Sequence, residues 1–377
     1  MTTPAVLVYR DTLLPRSEIA FMRRQYMGFT TLRPLWTGRR VEPWLDRAAF
    51  PLGPVFAGPA GLAFKLLGHV PGLPAIRALG AVAVHAQFGR GGALALPLAE
   101  KLGLPLVVTF HGGDVSKDAH YRRFALFRLR MARLAAYASA FVCVSDGVRD
   151  ALIARGLPGS RAVVLPIGTD TLTATPRTTQ GEGILFVGRF VEMKGATVLL
   201  DAIRLLRAQG ITAPVTLIGD GPDRPAIAAT AAALSGVTLL GWQEAASVRA
   251  AMQAARLVCI PSVRARSGEA EGLPSVATEA MGMGVPLIAS DAAGVSGLVE
   301  HDQNGLIFPA GDAPALATAL TRLLTDPAAA EAMGQAARLT VQAGFDAAVQ
   351  SARLERLLLA AAAAGPRTPL DFTRALG

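Results

Sequence analysis

Short, mainly apolar runs recur along the 377 residues, and a segment with helical apolar spacing follows each of them. In the first half the runs are VLVY (6–9), AVAV (81–84), PLVVTF (105–110), AFVCVS (140–145) and AVVLP (162–166), with a weaker one at 31–36. In the second half they are ILFVG (184–188), PVTLIG (214–219), VTLLG (237–241), LVCIP (257–261), VPLIA (285–289) and GLIF (305–308). A strand apolar on both faces needs cover on both faces, which a parallel sheet between two helix layers provides. The alternation therefore predicts an α/β chain of βαβ units, built twice over. The stretch TDTLTATPRTTQGEG interrupts it without any apolar period and reads as a linker. The expected division is a Rossmann-like domain over 1–172 and a second over 173–364, with the tail 365–377 packing back on the first. Two such parallel sheets would face each other across an interdomain cleft, with ligands at the carboxyl ends of their strands.

Composition narrows the class further. Apolar residues make up 51 % and aromatics only 6 %, so aliphatic side chains and alanine must fill two cores. The apolar stretches 51–74 and 91–108 are broken by Gly, Pro, Lys65, Glu100 and Lys101, so neither reads as a membrane span, which needs about 20 unbroken apolar residues. The start, MTTPAVLVYRDTLLPR, has no signal-peptide core, and a cytoplasmic protein is expected. Cys143 and Cys259 sit inside apolar runs and read as buried free thiols. No HExxH or CxxC spacing suggests a metal. Charge is lopsided: residues 1–170 hold 21 Lys+Arg against 10 Asp+Glu, whereas 171–377 hold 16 against 18. A basic half favours an anionic partner.

Chemistry is expected just after the strands. ILFVG runs through RFVEMKG into a helix, so Arg189 and Lys194 lie where free backbone N–H groups and the positive dipole end favour an anion. That reads as a diphosphate cradle, or else an ordinary solvated turn. Gly219 and Gly221 in GDGP suit either a close ligand approach or a plain tight turn. In EGLPSVATEAMGMGVP, Glu271 precedes a helix opened by Pro274-Ser275, and Glu279 lies about one turn inside it. The two carboxylates would reach different parts of one ligand, or merely complement the helix dipole. His85 and His111 each follow an apolar run and are expected at the rim of the first sheet. The insert RARSGEA before Glu271 is expected to be mobile.

Together these segments resemble glycosyltransferase family 4, retaining enzymes of GT-B fold, through nearly the whole chain and most densely over 184–312. GRFVEMKG matches the family's G-R-x-x-x-x-K-G element, GDGP its G-x-G-P turn, and Glu271 to Glu279 its E-x7-E signature. VHAQFG, TFHGGD, VSDGVRDAL and LPIGTD look like the family too. Ser17-Glu18 is similar to a pair found in bacterial exopolysaccharide and colanic-acid-type transferases. The resemblance implies a catalytic group of His111, Arg189, Lys194 and Glu271. It implies a donor site of Gly188, Arg189, Lys194, Gly219, Gly221, Glu271, Gly272, Leu273, Pro274, Ser275 and Glu279. It implies an acceptor side of Ser17, Glu18, His85, His111 and Asp114. A nucleoside-diphosphate sugar would be the donor, and a glycan or polyprenyl-diphosphate-linked acceptor the partner, with neither metal nor other cofactor. Three departures stand out: RDTLLPRSE has no glycine, Gly294-Val295-Ser296-Gly297 replaces the family's frequent G-I-P-E, and RARSGEA is inserted before Glu271.

The segment 121–138 is basic and partly amphipathic, through Arg122, Arg123, Arg128, Arg130 and Arg133, and suggests peripheral contact with an anionic membrane at its inner face. A dinucleotide oxidoreductase is disfavoured, since no G-x-G-x-x-G follows the first strand. No helix-turn-helix, zinc finger or stacking motif supports nucleic-acid binding. A nucleotide-sugar-binding protein of the same fold that has lost catalysis is the remaining alternative.

Overall fold

The computed structural model describes residues 3–116, 125–170 and 181–376. The chain forms two compact units: Met1–Gly168 with Ala347–Gly377, and Thr169–Asp346. The expected linker falls mostly on 171–180, outside the described residues.

The first unit holds a seven-stranded sheet whose strands pair in parallel throughout. Across it run Leu52–Val55, Arg33–Gly38, Ala5–Tyr9, Ala81–Gln87, Leu106–Phe110, Ala140–Cys143 and Ala162–Val164. Leu52–Val55 was not foreseen. Its sequence, LGPV, carries Gly and Pro, which a sheet tolerates at its edge, and it does lie at the edge. The rest of that apolar stretch forms the helices Gly58–Leu67 and Leu73–Arg77.

The second unit holds six parallel strands, in the order Val237–Gly241, Val215–Ile218, Ile184–Val187, Leu257–Ile260, Leu287–Ser290 and Leu306–Phe308. Counted within the unit this is 3-2-1-4-5-6, the doubly wound order. The first sheet follows the same order with one strand added. Each sheet therefore has a switch point beside its first strand, where neighbouring connections leave in opposite directions and open a crevice. Cys143 and Cys259 are buried and free, and burial pushes the Cys143 thiol up to about 12.

One boundary differs from the sequence reading. The helix Ala347–Ala364 belongs to the first unit, not the second. Leu354, Leu357, Leu358 and Ala361 join the first unit's core, as do Leu370 and Ala375 of the tail. The Glu355 carboxylate accepts the backbone N–H groups of Thr30, Thr31 and Leu32 at 3.0, 2.7 and 2.7 Å. The Ser351 hydroxyl accepts that of Gly28 at 2.9 Å. Helical apolar period looks the same whichever core receives it, so spacing did not reveal this crossing.

Candidate active site

In the second unit, the loops after Ile184–Val187 and Leu257–Ile260 flank the switch point. The first loop passes through Gly188-Arg189-Phe190 and the short turn Glu192–Lys194, then enters the helix Ala196–Ala208 at Gly195. Gly195 has φ +65°, and a Cβ there would lie 1.8 Å from the Pro261 carbonyl oxygen. The Val263 N–H donates to the Met193 carbonyl at 2.9 Å, so the two loops are joined backbone to backbone. Gly219 (φ +145°) lies on the Gly188 carbonyl, where a Cβ would come within 1.8 Å, and Gly221 lies on that of Phe190. The GDGP glycines are thus required by loop packing, whatever ligand they also admit.

The interlocked loops bring the Lys194 ammonium onto Oε1 of Glu271 as an ion pair. Both side chains are largely withdrawn from water, at 17 % and 9 % exposure. The Lys194 stem passes Gly188, whose added Cβ would touch it at 3.4 Å. Arg189 is exposed at the strand end. Pro274 is the N-cap residue of the helix Ser275–Gly282, and half-buried Glu279 lies one turn inside it. Gly272 and Pro274 are buried, Leu273 and Ser275 partly so. Gly294 packs on the Gly272 carbonyl, and Val295 is buried, so the departing GVSG segment supports the backbone behind Glu271. RARSGEA, expected to be mobile, is folded into a turn: the Gly268 N–H donates to Ala265, the Ala265 N–H to Glu269, and Arg266 pairs with Glu192 at 3.1 Å. A lysine, a neighbouring arginine and the N-terminus of a thirteen-residue helix can hold a diphosphate and stabilise charge that develops on it. Among the described residues, no three His, Cys, Asp or Glu side chains cluster as a metal site.

The first unit's switch point lies between Ala5–Tyr9 and Ala81–Gln87. Here His85 corrects the sequence reading: it is fully buried within its strand, not at the rim. Its place follows from the strand itself, which continues past Val84 to Gln87 and is buried on both faces from Ala83 onward. Tyr26 Oη lies 2.6 Å from His85 Nδ1, and Thr109 Oγ1 2.7 Å from Nε2. Gln87 Nε2 donates to Tyr26 Oη at 2.6 Å and to Gln25 Oε1 at 3.0 Å. Gln87 Oε1 is left as the acceptor facing His111 Nε2 at 2.8 Å. His111 Nε2 therefore carries the proton, and Nδ1 is the lone-pair atom. By the same logic Tyr26 donates to His85 Nδ1, and His85 donates to Thr109. Burial pushes both imidazoles down to about 3, with His85 and Arg10 adding to the effect on His111. Both rings are neutral near pH 7.

Asp114 accepts the N–H groups of Gly89, His111 and Gly112 at 2.9, 3.0 and 2.9 Å, which fixes the HGGD turn. Burial outweighs those bonds and raises its carboxyl to about 6. Glu18 forms a double hydrogen bond with Arg10, at 2.9 and 2.7 Å, and the Arg10 guanidinium lies 4.6 Å above the Phe88 ring. Phe88 in turn packs against His111, ring centroids 4.4 Å apart and planes tilted at 42°, and holds φ +67°, a strained value for a non-glycine residue. The side chain of Ser17 lies outside the described residues. Arg10, Tyr26, Gln87 and Phe88 were missed by sequence reasoning. Only the polar Gln87 and Phe88-Gly89 closing an apolar run could have signalled them.

Residues 35–172 match the family Glycosyltransferase Family 4, and 181–326 match Glycosyl transferases group 1. The chain is 32 % identical over 286 residues to the amylovoran biosynthesis glycosyltransferase AmsK of Erwinia amylovora, covering 72 % of this chain and 68 % of that one. Among solved structures it is similar to Anabaena Alr3699/HepE in complex with UDP (TM-score 0.78, 19 % identity, 94 % of this chain and 99 % of that one). It is also similar to sucrose-phosphate synthase from Thermosynechococcus elongatus (TM-score 0.73, 23 % identity, 96 % and 100 %). These two likenesses rest on the paired parallel-sheet units of the GT-B fold. With its E-x7-E carboxylates and its GRFVEMKG loop in place, the chain belongs to glycosyltransferase family 4 and is a glycosyltransferase.

Proposed function

We propose that the protein transfers a sugar, with retention, from a nucleoside-diphosphate sugar to a glycan or lipid-linked acceptor in bacterial surface-polysaccharide biosynthesis. The observation that carries this reading is the meeting of Lys194 and Glu271 at the switch point of the second sheet, beside a helix N-terminus. The UDP in Anabaena HepE and the polysaccharide named for AmsK point the same way.

In the proposed reaction the bond from the sugar's anomeric carbon to the β-phosphate oxygen breaks, and its electron pair stays on that oxygen. The acceptor hydroxyl oxygen bonds to the anomeric carbon on the same face and passes its proton to the leaving phosphate. Lys194, Arg189 and the N–H groups opening Ala196–Ala208 stabilise the developing charge. Glu279 holds the ribose hydroxyls, and Glu271 exchanges Lys194 for a sugar hydroxyl as the diphosphate takes the lysine. Neutral His111 offers Nδ1 as a hydrogen-bond acceptor at the carboxyl end of the first sheet. No resident metal is needed for this charge balance, so activity should survive chelation by EDTA.

Thermal-shift screening against UDP, GDP, ADP and their sugars tests the reading, because a ligand of the native state raises the melting temperature by mass action. One nucleotide should stabilise the protein, and Glu279→Ala together with Lys194→Met/Glu271→Gln should lose that shift. A shift kept in both variants, or none with any nucleotide, would overturn it.

A further inference from the structure

Two helices of the first unit, joined through Arg130, expose leucines. On Gly58–Leu67, Leu62, Leu66 and Leu67 are 56, 47 and 82 % exposed, and on Ala125–Tyr137, Leu126 and Leu129 are 44 and 59 % exposed. Arg130 joins the helices: its guanidinium donates to the carbonyls of Lys65 and Leu66 at 2.6 and 3.2 Å. The end of the first helix therefore lies within reach of the Arg130 side chain, which springs from the turn of the second helix that carries Leu126 and Leu129. Leucine on a soluble surface is ordinary singly, whereas five on adjoining helices form an apolar face.

The two helices themselves carry charge of one sign. Residues 47–99 and 119–145 contain no Asp or Glu, and these two stretches supply both helices. Lys65 and Arg128 flank the leucines, and Arg128 is exposed. The sequence expectation of a basic helix is altered here. Arg130 is nearly buried and serves the neighbouring helix, Arg133 pairs with Glu100 at 2.6 Å, and Arg122 and Arg123 lie outside the described residues. Apolar side chains, and not the arginine count alone, dominate the face. Among the described residues no helix is long and apolar enough to cross a membrane.

We propose that this two-helix leucine face docks the protein on an anionic lipid surface, with the leucines entering the headgroup boundary and Lys65 and Arg128 meeting lipid phosphates. Leucines flanked by Lys65 and Arg128 suit such an interface, where burial of apolar area and attraction to negative headgroups act together. The proposal is independent of the donor assignment.

Co-sedimentation of the full chain decides it, using vesicles of equal parts phosphatidylglycerol and phosphatidylcholine, and of phosphatidylcholine alone. The wild type should bind the anionic vesicles more strongly, and added salt should weaken that binding. Leu66→Ser/Leu67→Ser/Leu129→Ser should bind on the order of a hundredfold more weakly, from the apolar area removed, with an unchanged melting temperature. Leu67→Glu, at the most exposed of the five positions, gives a second variant that should also weaken binding without touching the core. Absence of wild-type binding to anionic vesicles, or equal binding by the variants, would overturn the proposal. So would a wild-type dimer, seen in sedimentation velocity, that the triple variant dissolves while vesicle binding is unaltered.

Discussion

Breaking the Lys194–Glu271 pair from its two sides should have unequal effects. Two unit charges about 4 Å apart attract by about 4 kcal/mol at an effective dielectric near 20. Here the partners keep 17 % and 9 % exposure, so desolvation offsets most of that gain. Lys194→Met leaves the more buried Glu271 carboxylate uncompensated and should cost about 3 kcal/mol. Glu271→Gln leaves an ammonium on a flexible stem that can turn towards water, and should cost about 1 kcal/mol. The double variant removes both charges and should cost about 1–2 kcal/mol instead of the sum near 4, a coupling of about 2–3 kcal/mol. Urea unfolding gives the three values, and hydrogen exchange of the Ile184–Val187 amides assigns the change to the second unit. Additivity within about 0.5 kcal/mol would refute the reasoning. A binding arm separates function from stability. Glu271→Gln frees Lys194 for phosphate, so free nucleoside diphosphate should bind more tightly while sugar transfer falls. Weaker diphosphate binding in that variant would show that Glu271 does not compete for the lysine.

Glu355→Ala should destabilise the first unit by about 3 kcal/mol, since three backbone N–H groups lose a charged acceptor; an unchanged urea midpoint would refute it. Gly195→Ala meets both positive φ and the Pro261 carbonyl, so a loss of about 3 kcal/mol or more is expected in the same assay. His85 titrates near 6.5 when unfolded and near 3 when folded, so the unfolded chain binds the extra proton between those values. Its contribution is present above about pH 6.5 and falls by about 1.4 kcal/mol per pH unit below it. His85→Gln should flatten the acid limb of stability by up to one proton; an unaltered slope would sink this. Nitrogen NMR should find His111 neutral and protonated at Nε2 at pH 7, and an Nδ1–H or charged ring would break the Gln87 relay.

Some of the site could be read one residue at a time. Arg189, Lys194 and Glu271 follow strands in a parallel sheet, and strand ends lie where such sheets bind ligands, so their neighbourhood followed from order along the chain. The direct meeting of Lys194 and Glu271 did not. It depends on Gly195 lying against Pro261 and on Gly219 lying against Gly188, contacts between loops far apart in sequence. His85 and Gln87 show the same limit inside one strand. Polarity marked them as unusual, but only the surrounding Tyr26, Gln25 and Thr109 show that their polar atoms are used internally.

The sequence by itself determined that this chain builds two parallel-sheet units, because apolar runs of strand length alternating with amphipathic helices have no other economical burial. It also determined which loops face the ligand end of each sheet. Tertiary structure decided which unit receives the helix Ala347–Ala364, since an apolar stripe fits any core of matching shape and only the Glu355 and Ser351 contacts select one. It decided, too, which charges are spent within the fold, because ion pairing and burial depend on distances that no local pattern encodes.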